Sequence, residues 1–229
     1  MRTFVLTALA LLFAGSMYAQ NFEVGVNGGV STSSIPGGTP DKGDKTTWNY
    51  QASARLLYSI NENWQVGGDI AGTKWQTTAQ WPLTGAFGQK IGSQKVTYSF
   101  GSPALTICAQ LNRVIPFYSK INLDFIQSQV YFGVSAGGVI TVNDGRANYS
   151  TLPTEKFQYT SNFNYADGKG YVVGVQVGYS YFFTEHFGLN VEVAPRYASV
   201  YTSDGRFGHA DDHYHLFYYY GTLGLRFRF

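Results

Sequence analysis

The chain has 229 residues and a formal net charge of +2, and only 13% of its residues are charged although 17% are aromatic and 27 are glycine. A soluble domain averages about 25% charged residues, so this chain has too few charges to coat a water-facing surface. The nearly balanced charge gives no long-range field that would recruit nucleic acid, and we predict no such partner. Outside the first 19 residues there is no apolar run of about 18 residues, so ordinary transmembrane helices are excluded and membrane-crossing β-strands are favoured.

The first predicted element is a secretory signal over residues 1–19. Arg2 gives this segment a positive start, residues 4–14 form an apolar run too short to span a bilayer, and residues 16–19 are rich in small side chains. We therefore predict an exported protein with a single domain over residues 20–229. Cys108 is the only cysteine, so it cannot form an internal disulfide, and we assign it no chemical role.

Period-two alternation of apolar and polar residues predicts an all-β fold, an eight-stranded antiparallel up-and-down transmembrane β-barrel. The predicted strands, in chain order, are residues 22–31, 50–60, 64–76, 96–111, 129–142, 171–183, 187–200 and 217–229. In the sixth strand, for example, Val173, Val175 and Val177 alternate with two glycines and Gln176. The apolar parity of the fourth strand switches between residues 100 and 105, which predicts a bulge near Pro103.

The connections alternate in length. Residues 61–63 and 184–186 form tight turns, whereas 34–46, 77–95, 143–168 and 201–213 are long and polar, as expected for short periplasmic turns and long external loops. Residues 112–122 are an apolar exception, so either the fourth and fifth strands extend there or this loop folds against the barrel base. Aromatic residues in the external loops could bind a host surface, a glycan or a partner protein, or could pack over the barrel mouth: Trp48, Trp75, Trp81, Phe87, Tyr149, Phe157, Tyr159, Phe163 and Tyr165.

The chain ends in Leu223-Gly-Leu-Arg-Phe-Arg-Phe229, an alternating apolar strand closed by phenylalanine. With this ending, the mature chain resembles small bacterial outer-membrane barrels of the OmpA- and OmpX-like kind, and the Ala-Gln at the end of the signal suggests a Bacteroidetes-type outer-membrane β-barrel domain. The resemblance implies a location in the outer membrane of a Gram-negative bacterium, among its lipid and lipopolysaccharide. It also implies that the barrel-assembly machinery recognises Leu223, Leu225, Phe227 and Phe229.

Strand parity places three acidic and four basic side chains in the barrel interior. They are Glu23, Asp69, Glu192, Arg55, Arg196, Arg226 and Arg228. Buried charges must pair, so we interpret these residues as a structural ion network. The same residues could instead line a gated ion path or a small-ligand site. An eight-stranded barrel is only wide enough to be filled by its own side chains, so we expect no open pore.

Histidine and aspartate residues cluster before the last strand, in His209-Ala-Asp-Asp-His213-Tyr-His215. This spacing could place imidazole and carboxylate ligands around a divalent metal ion. The alternative interpretation is a polar loop in which these residues favour turns and solvent. We therefore assign no metal and no cofactor, and keep His209, Asp211, Asp212, His213 and His215 as candidates only.

The sequence favours a structural or surface-interaction barrel without catalytic activity. A first alternative is a lipid A-modifying enzyme, because some eight-stranded outer-membrane barrels modify lipid A with a His and a Ser at the outer rim. In this chain, Ser199 would face His215 if the last hairpin is symmetric. Those lipid A deacylases carry the His and the Ser two residues apart on one strand, with an acidic residue nearby. This chain has neither that His–Ser spacing nor an evident outward acidic residue. A second alternative is a soluble, secreted, lipocalin-like ligand-binding barrel, which requires an apolar interior and a polar exterior.

Overall fold

A computed structural model describes residues 21–34, 48–84, 90–120, 126–141, 158–164, 168–202 and 212–229. Within these ranges, only the backbone is described for residues 34, 76–84, 90–103, 158–164, 202 and 212–214. The predicted secretory signal lies outside the described residues. No helix in the described part of the chain is long and apolar enough to cross a membrane.

The described ranges contain nine β-strands. In chain order these are β1 (Phe22–Ser34), β2 (Trp48–Asn61), β3 (Trp64–Thr84), β4 (Lys90–Tyr118), β5 (Ile126–Thr141), β6 (Gln158–Asn164), β7 (Gly168–Phe182), β8 (Phe187–Thr202) and β9 (Asp212–Arg228). Eight of them pair antiparallel with their neighbours around a closed ring, and the ring is completed by pairing of β9 with β1. The remaining strand, β6, pairs in parallel with the start of β4, outside the ring. The predicted eight-stranded barrel is therefore confirmed.

The start of β1, the end of β9 and the short turns lie at one end of the barrel, which we call the turn end. Residues 61–63 and 183–186 connect strands there, close to the predicted positions, and the Phe229 amide donates a hydrogen bond to the Phe22 carbonyl over 2.9 Å. At the opposite end, which we call the loop end, β1, β3, β5 and β8 end and β2, β4, β7 and β9 begin. Long connections therefore separate β1 from β2 and β8 from β9, as predicted, whereas only residues 85–89 separate β3 from β4.

Some strands are longer than the alternation of apolar residues predicted. The expected loop 77–95 is wrong, because β3 continues to Thr84 and β4 begins at Lys90. Threonine and aromatic residues favour extended backbone even where no apolar stripe is visible, and this part of the chain is rich in both. The first interpretation of residues 112–122 is confirmed, since β4 extends to Tyr118 and pairs with the start of β5.

The predicted bulge near Pro103 is also present. Thr73 pairs with Ala104 and Trp75 pairs with Gly101, so two residues of β4 stand opposite one residue of β3. A second register shift follows at once, between Trp75 and Gln76.

The barrel has an apolar exterior and a polar interior. Outward side chains include Val26, Val193 and Leu223, which are 58%, 51% and 59% exposed. Inward positions on the same strands carry polar residues such as Asn27 and Glu192, both buried. This distribution is the reverse of the one that a soluble ligand-binding barrel requires, and it is the pattern of a barrel that faces lipid.

Candidate functional site

All seven charged residues predicted for the interior lie inside the barrel. They occupy inward positions on β1, β2, β3, β8 and β9, and six of them are no more than 4% exposed. Arg228 is the partly exposed member, since it lies next to the opening at the turn end. The structure arranges the seven charges in three groups stacked along the barrel axis.

The first group lies nearest the turn end and centres on Glu23. Its carboxylate accepts hydrogen bonds from Arg226 over 2.9 Å and from Arg228 over 2.9 and 3.1 Å. The Gln65 amide donates to the same carboxylate over 3.1 Å, and Arg228 also donates to the Gln129 side chain over 3.2 Å. One buried carboxylate is thus held by two guanidinium groups, which gives it the hydrogen-bond partners that a buried charge needs.

The second group is a two-pronged ion pair between Arg55 and Glu192. The two guanidinium nitrogens of Arg55 lie 2.5 and 2.7 Å from the two carboxylate oxygens of Glu192. The hydroxyl groups of Tyr131 and Tyr220 donate to the same carboxylate over 2.6 and 3.1 Å. Arg226 connects this group to the first, because it lies over the Tyr131 ring at 4.9 Å.

The third group pairs Arg196 with Asp69. A guanidinium nitrogen of Arg196 lies 3.1 Å from an Asp69 oxygen, and Gln110 donates a hydrogen bond to the same carboxylate. Arg196 also lies over the Tyr220 ring at 5.1 Å and contacts the Cys108 sulfur at 3.6 Å. Tyr220 therefore touches both the second and the third group, so the charges form one continuous network.

An apolar layer closes the interior between this network and the loop end. Trp75 is its largest member, is fully buried and packs against Tyr218 with ring centroids 5.1 Å apart. Other members share inward positions near the loop end of their strands: Val139, Val172, Ala198, Val200 and Leu216. The expectation that Trp75 lies in an external loop is wrong, because this residue belongs to β3 and faces inward. The alternation that turns Gln65, Asp69 and Thr73 inward also turns residue 75 inward.

Large buried side chains fill the described middle part of the interior. Arg196, Arg226, Tyr131, Tyr218 and Trp75 are among its largest side chains, and each is less than 2% exposed. At the turn end the interior opens into a vestibule of about 560 Å³ whose lining includes the polar side chains of the Glu23 group. This arrangement resembles a packed core rather than a channel.

The candidate metal ligands are only partly described. His209 and Asp211 lie outside the described residues, and only the backbone of Asp212 and His213 is described, at the start of β9. Among described side chains, no group of three or more metal-ligating residues occurs. His215 is exposed, and its Nδ1 atom lies 2.7 Å from the Tyr197 hydroxyl.

The structure places Ser199 directly opposite His215 on neighbouring strands, in the register that a symmetric last hairpin requires. His215 is exposed near the loop end, whereas Ser199 is only 7% exposed. No hydrogen bond joins Ser199 to His215 among the described contacts, and no described carboxylate contacts the imidazole.

The terminal strand carries the predicted assembly residues on its outward face. Leu223, Leu225 and Phe227 are exposed, and Phe229 packs edge-on against Phe227 with ring centroids 4.8 Å apart. Phe183 and Phe187 stack nearby at 6.2 Å. These rings form an aromatic belt at the turn end, as expected where a barrel meets a membrane interface.

No protein-family model and no curated protein sequence matches the chain. Among solved structures, the chain is similar to Neisserial surface protein A (TM-score 0.48, 11% identity, covering 91% of this chain and 97% of that one). It is also similar to Ail, the attachment invasion locus protein of Yersinia pestis (0.43, 12%, 92% and 99%), and to the outer membrane protein OprG from Pseudomonas aeruginosa (0.41, 16%, 92% and 98%). These similarities concern the fold, which the strand pairing of this chain establishes by itself. The Bacteroidetes-type assignment stays a prediction.

Proposed function

We propose that this chain is an outer-membrane barrel with a structural or surface-interaction role, in which the barrel body is an anchor without an open pore and the loops contact an external protein or glycan. One observation carries the proposal: the exterior is apolar while the charged interior is filled. An apolar exterior is stable only in lipid, and a filled interior leaves recognition to the ends of the barrel.

The orientation follows from the connections. Short turns of outer-membrane barrels face the periplasm and long loops face outward, so the turn end is periplasmic and the loop end is extracellular. Trp48, at the loop end of β2, is 69% exposed and supports a role in surface contact. The expectation of a loop position is wrong for Trp81, which lies in β3, and for Tyr159 and Phe163, which lie in β6. Phe87, Tyr149, Phe157 and Tyr165 lie outside the described residues.

The first test asks whether the exterior faces lipid. In the native host, we expect the protein in the outer-membrane fraction, with different gel mobility in heated and unheated detergent samples. Val193→Arg puts a charge in the middle of the apolar exterior and should cost about 2 to 4 kcal/mol of stability in a bilayer. Trp48→Arg is the control, because the loop end lies outside the lipid. A soluble protein unaffected by Val193→Arg would overturn the proposal.

The second test asks whether the interior conducts. Purified protein in planar bilayers should give no steady conductance, because the interior is packed. Stable, ion-selective conductance steps from wild-type protein would refute the sealed-barrel proposal and favour the gated ion path. Loop recognition would then be tested separately, by binding of the reconstituted protein to glycan and protein arrays.

A lipid A-modifying activity is the second candidate, and the register between Ser199 and His215 favours it. Ser199, 7% exposed, lies in register with the exposed His215, and such a Ser–His pair could provide a nucleophile toward an acyl ester, with the Tyr197 hydroxyl orienting the imidazole where deacylases use an acid. The test follows lipid A by mass spectrometry in cells that produce wild-type protein, Ser199→Ala or His215→Gln. A change in acyl pattern that requires both side chains would establish an enzyme, and an unchanged pattern with wild-type protein would exclude this candidate.

A further inference from the structure

The lipid-facing surface contains one feature that the barrel itself does not explain, a cation among apolar residues. Arg113 is exposed on the outward face of β4, between Leu111 and Ile115, which are 41% and 45% exposed. A charged side chain in such a position is unfavourable unless it meets a polar partner. No carboxylate among the described residues pairs with Arg113.

The position of Arg113 places it close to the periplasmic side. It pairs in register with Trp64, the first residue of β3, and its guanidinium carbon lies 5.2 Å from the centre of the Trp64 ring. The next residue, Val114, donates a backbone hydrogen bond to Asn63 in the turn that precedes β3. The guanidinium group is therefore held near the interface, where phospholipid headgroups of the inner leaflet lie.

An apolar groove begins at the same place. It has a volume of about 610 Å³ and runs across the outer surface of β4, β5, β7 and β8, with Arg113 and Trp64 in its lining. The remaining outward side chains that line it are apolar: Leu111, Phe132, Val134, Val175, Val177 and Pro195. The groove thus combines one cation with a continuous hydrocarbon-like surface.

We propose that Arg113 and this groove bind one anionic phospholipid of the inner leaflet. The guanidinium group donates charge-assisted hydrogen bonds to the lipid phosphate, for which its planar fork is suited, and one acyl chain lies in the groove. Trp64 holds the guanidinium plane and contacts the glycerol region, as interfacial tryptophans do. This inference rests on the proposed membrane location of the barrel.

The test uses full-length mature protein that is folded in detergent, mixed with phosphatidylglycerol and examined by native mass spectrometry. Wild-type protein should retain one lipid after the detergent is removed. Arg113→Gln should retain about tenfold less, because a charge-assisted contact to the phosphate is lost. Lys169→Gln is the matched control, since Lys169 is an exposed cation on β7 near the loop end and does not line the groove.

A second variant tests the groove independently of the charge. Val134→Trp fills the groove and leaves Arg113 in place, so it should also reduce lipid retention. Equal retention by wild-type protein, Arg113→Gln and Val134→Trp would mean non-specific annular lipid and would overturn the inference. Heat-dependent gel mobility of each sample shows that the barrel is folded, so failure of this site is distinguishable from failure of the membrane barrel itself.

Discussion

Removing the carboxylate of Glu192 should be one of the most damaging single changes in the barrel interior. Glu192→Leu leaves the Arg55 guanidinium without its counter-charge at a site where both side chains are no more than 2% exposed. It also removes the acceptor of the Tyr220 hydroxyl. Breaking a buried ion pair from one side typically costs about 3 to 5 kcal/mol, so we expect a loss of that size in the free energy of unfolding.

A double-mutant cycle separates the ion pair from the rest of the site. Arg55→Met should cost a similar amount, because it leaves the Glu192 carboxylate uncompensated. The variant with both changes buries no unpaired charge, and we expect it to lose only about 1 to 3 kcal/mol, the cost of a hydroxyl without an acceptor. Val191→Leu, at the neighbouring outward position, is the control and should leave stability unchanged.

The assay is urea unfolding in detergent micelles, followed by circular dichroism. With a denaturant slope of about 1 to 3 kcal/mol per molar urea, a loss of 3 kcal/mol lowers the unfolding midpoint by at least about 1 M. The double variant should unfold at a higher urea concentration than either single variant. If its loss equals the sum of the two single losses, the two side chains are not coupled and the interpretation of the network is wrong.

Three further changes test other parts of the barrel. Trp75→Ala leaves a cavity in the fully buried apolar layer and should cost about 3 to 5 kcal/mol in the same urea assay; an unchanged midpoint would show that the layer does not stabilise the barrel. Gly137→Ala should reduce the yield of heat-modifiable protein, because the added methyl group would overlap the Ile107 carbonyl of the neighbouring strand. Gly72→Ala is the control and should fold normally, since no atom lies within 4 Å of the methyl group that it adds. Equal yields of the two variants would contradict this packing. Deleting Phe229 should lower the amount recovered in outer-membrane fractions, and normal recovery would refute its predicted role in assembly.

Much of the barrel could be predicted because inward and outward positions alternate strictly along each strand. The parity of β8 and β9 alone places Glu192, Arg196 and Arg226 in the interior. Strand lengths were harder to predict, since polar threonine-rich backbone at the ends of β3 and β4 pairs without leaving an apolar stripe. Trp75 was misplaced for a different reason: it lies within the predicted third strand, 64–76, but its aromatic ring suggested an exposed position, whereas its place in β3 faces inward.

The partners within the ion network could not be predicted from strand register. Arg55 and Asp69 are direct neighbours on β2 and β3, which would suggest that they pair. Instead, Arg55 reaches Glu192 and Asp69 reaches Arg196, both on β8 across the lumen. Which charge meets which depends on the barrel diameter and on side-chain length, and neither is visible in a one-dimensional pattern.

The seam between β1 and β9 has a consequence for how the barrel forms. The contacts of Glu23 with Arg226 and Arg228 join residues 203 and 205 positions apart, and the seam pairs strands from the two ends of the described chain. Before β9 is in place, the partly formed sheet therefore has two unpaired edges, at β1 and β8, and the Glu23 carboxylate lacks both of its cations. Such an intermediate would be prone to pair with other chains. Assembly of the closed barrel therefore requires that these strand edges are protected until β1 and β9 pair.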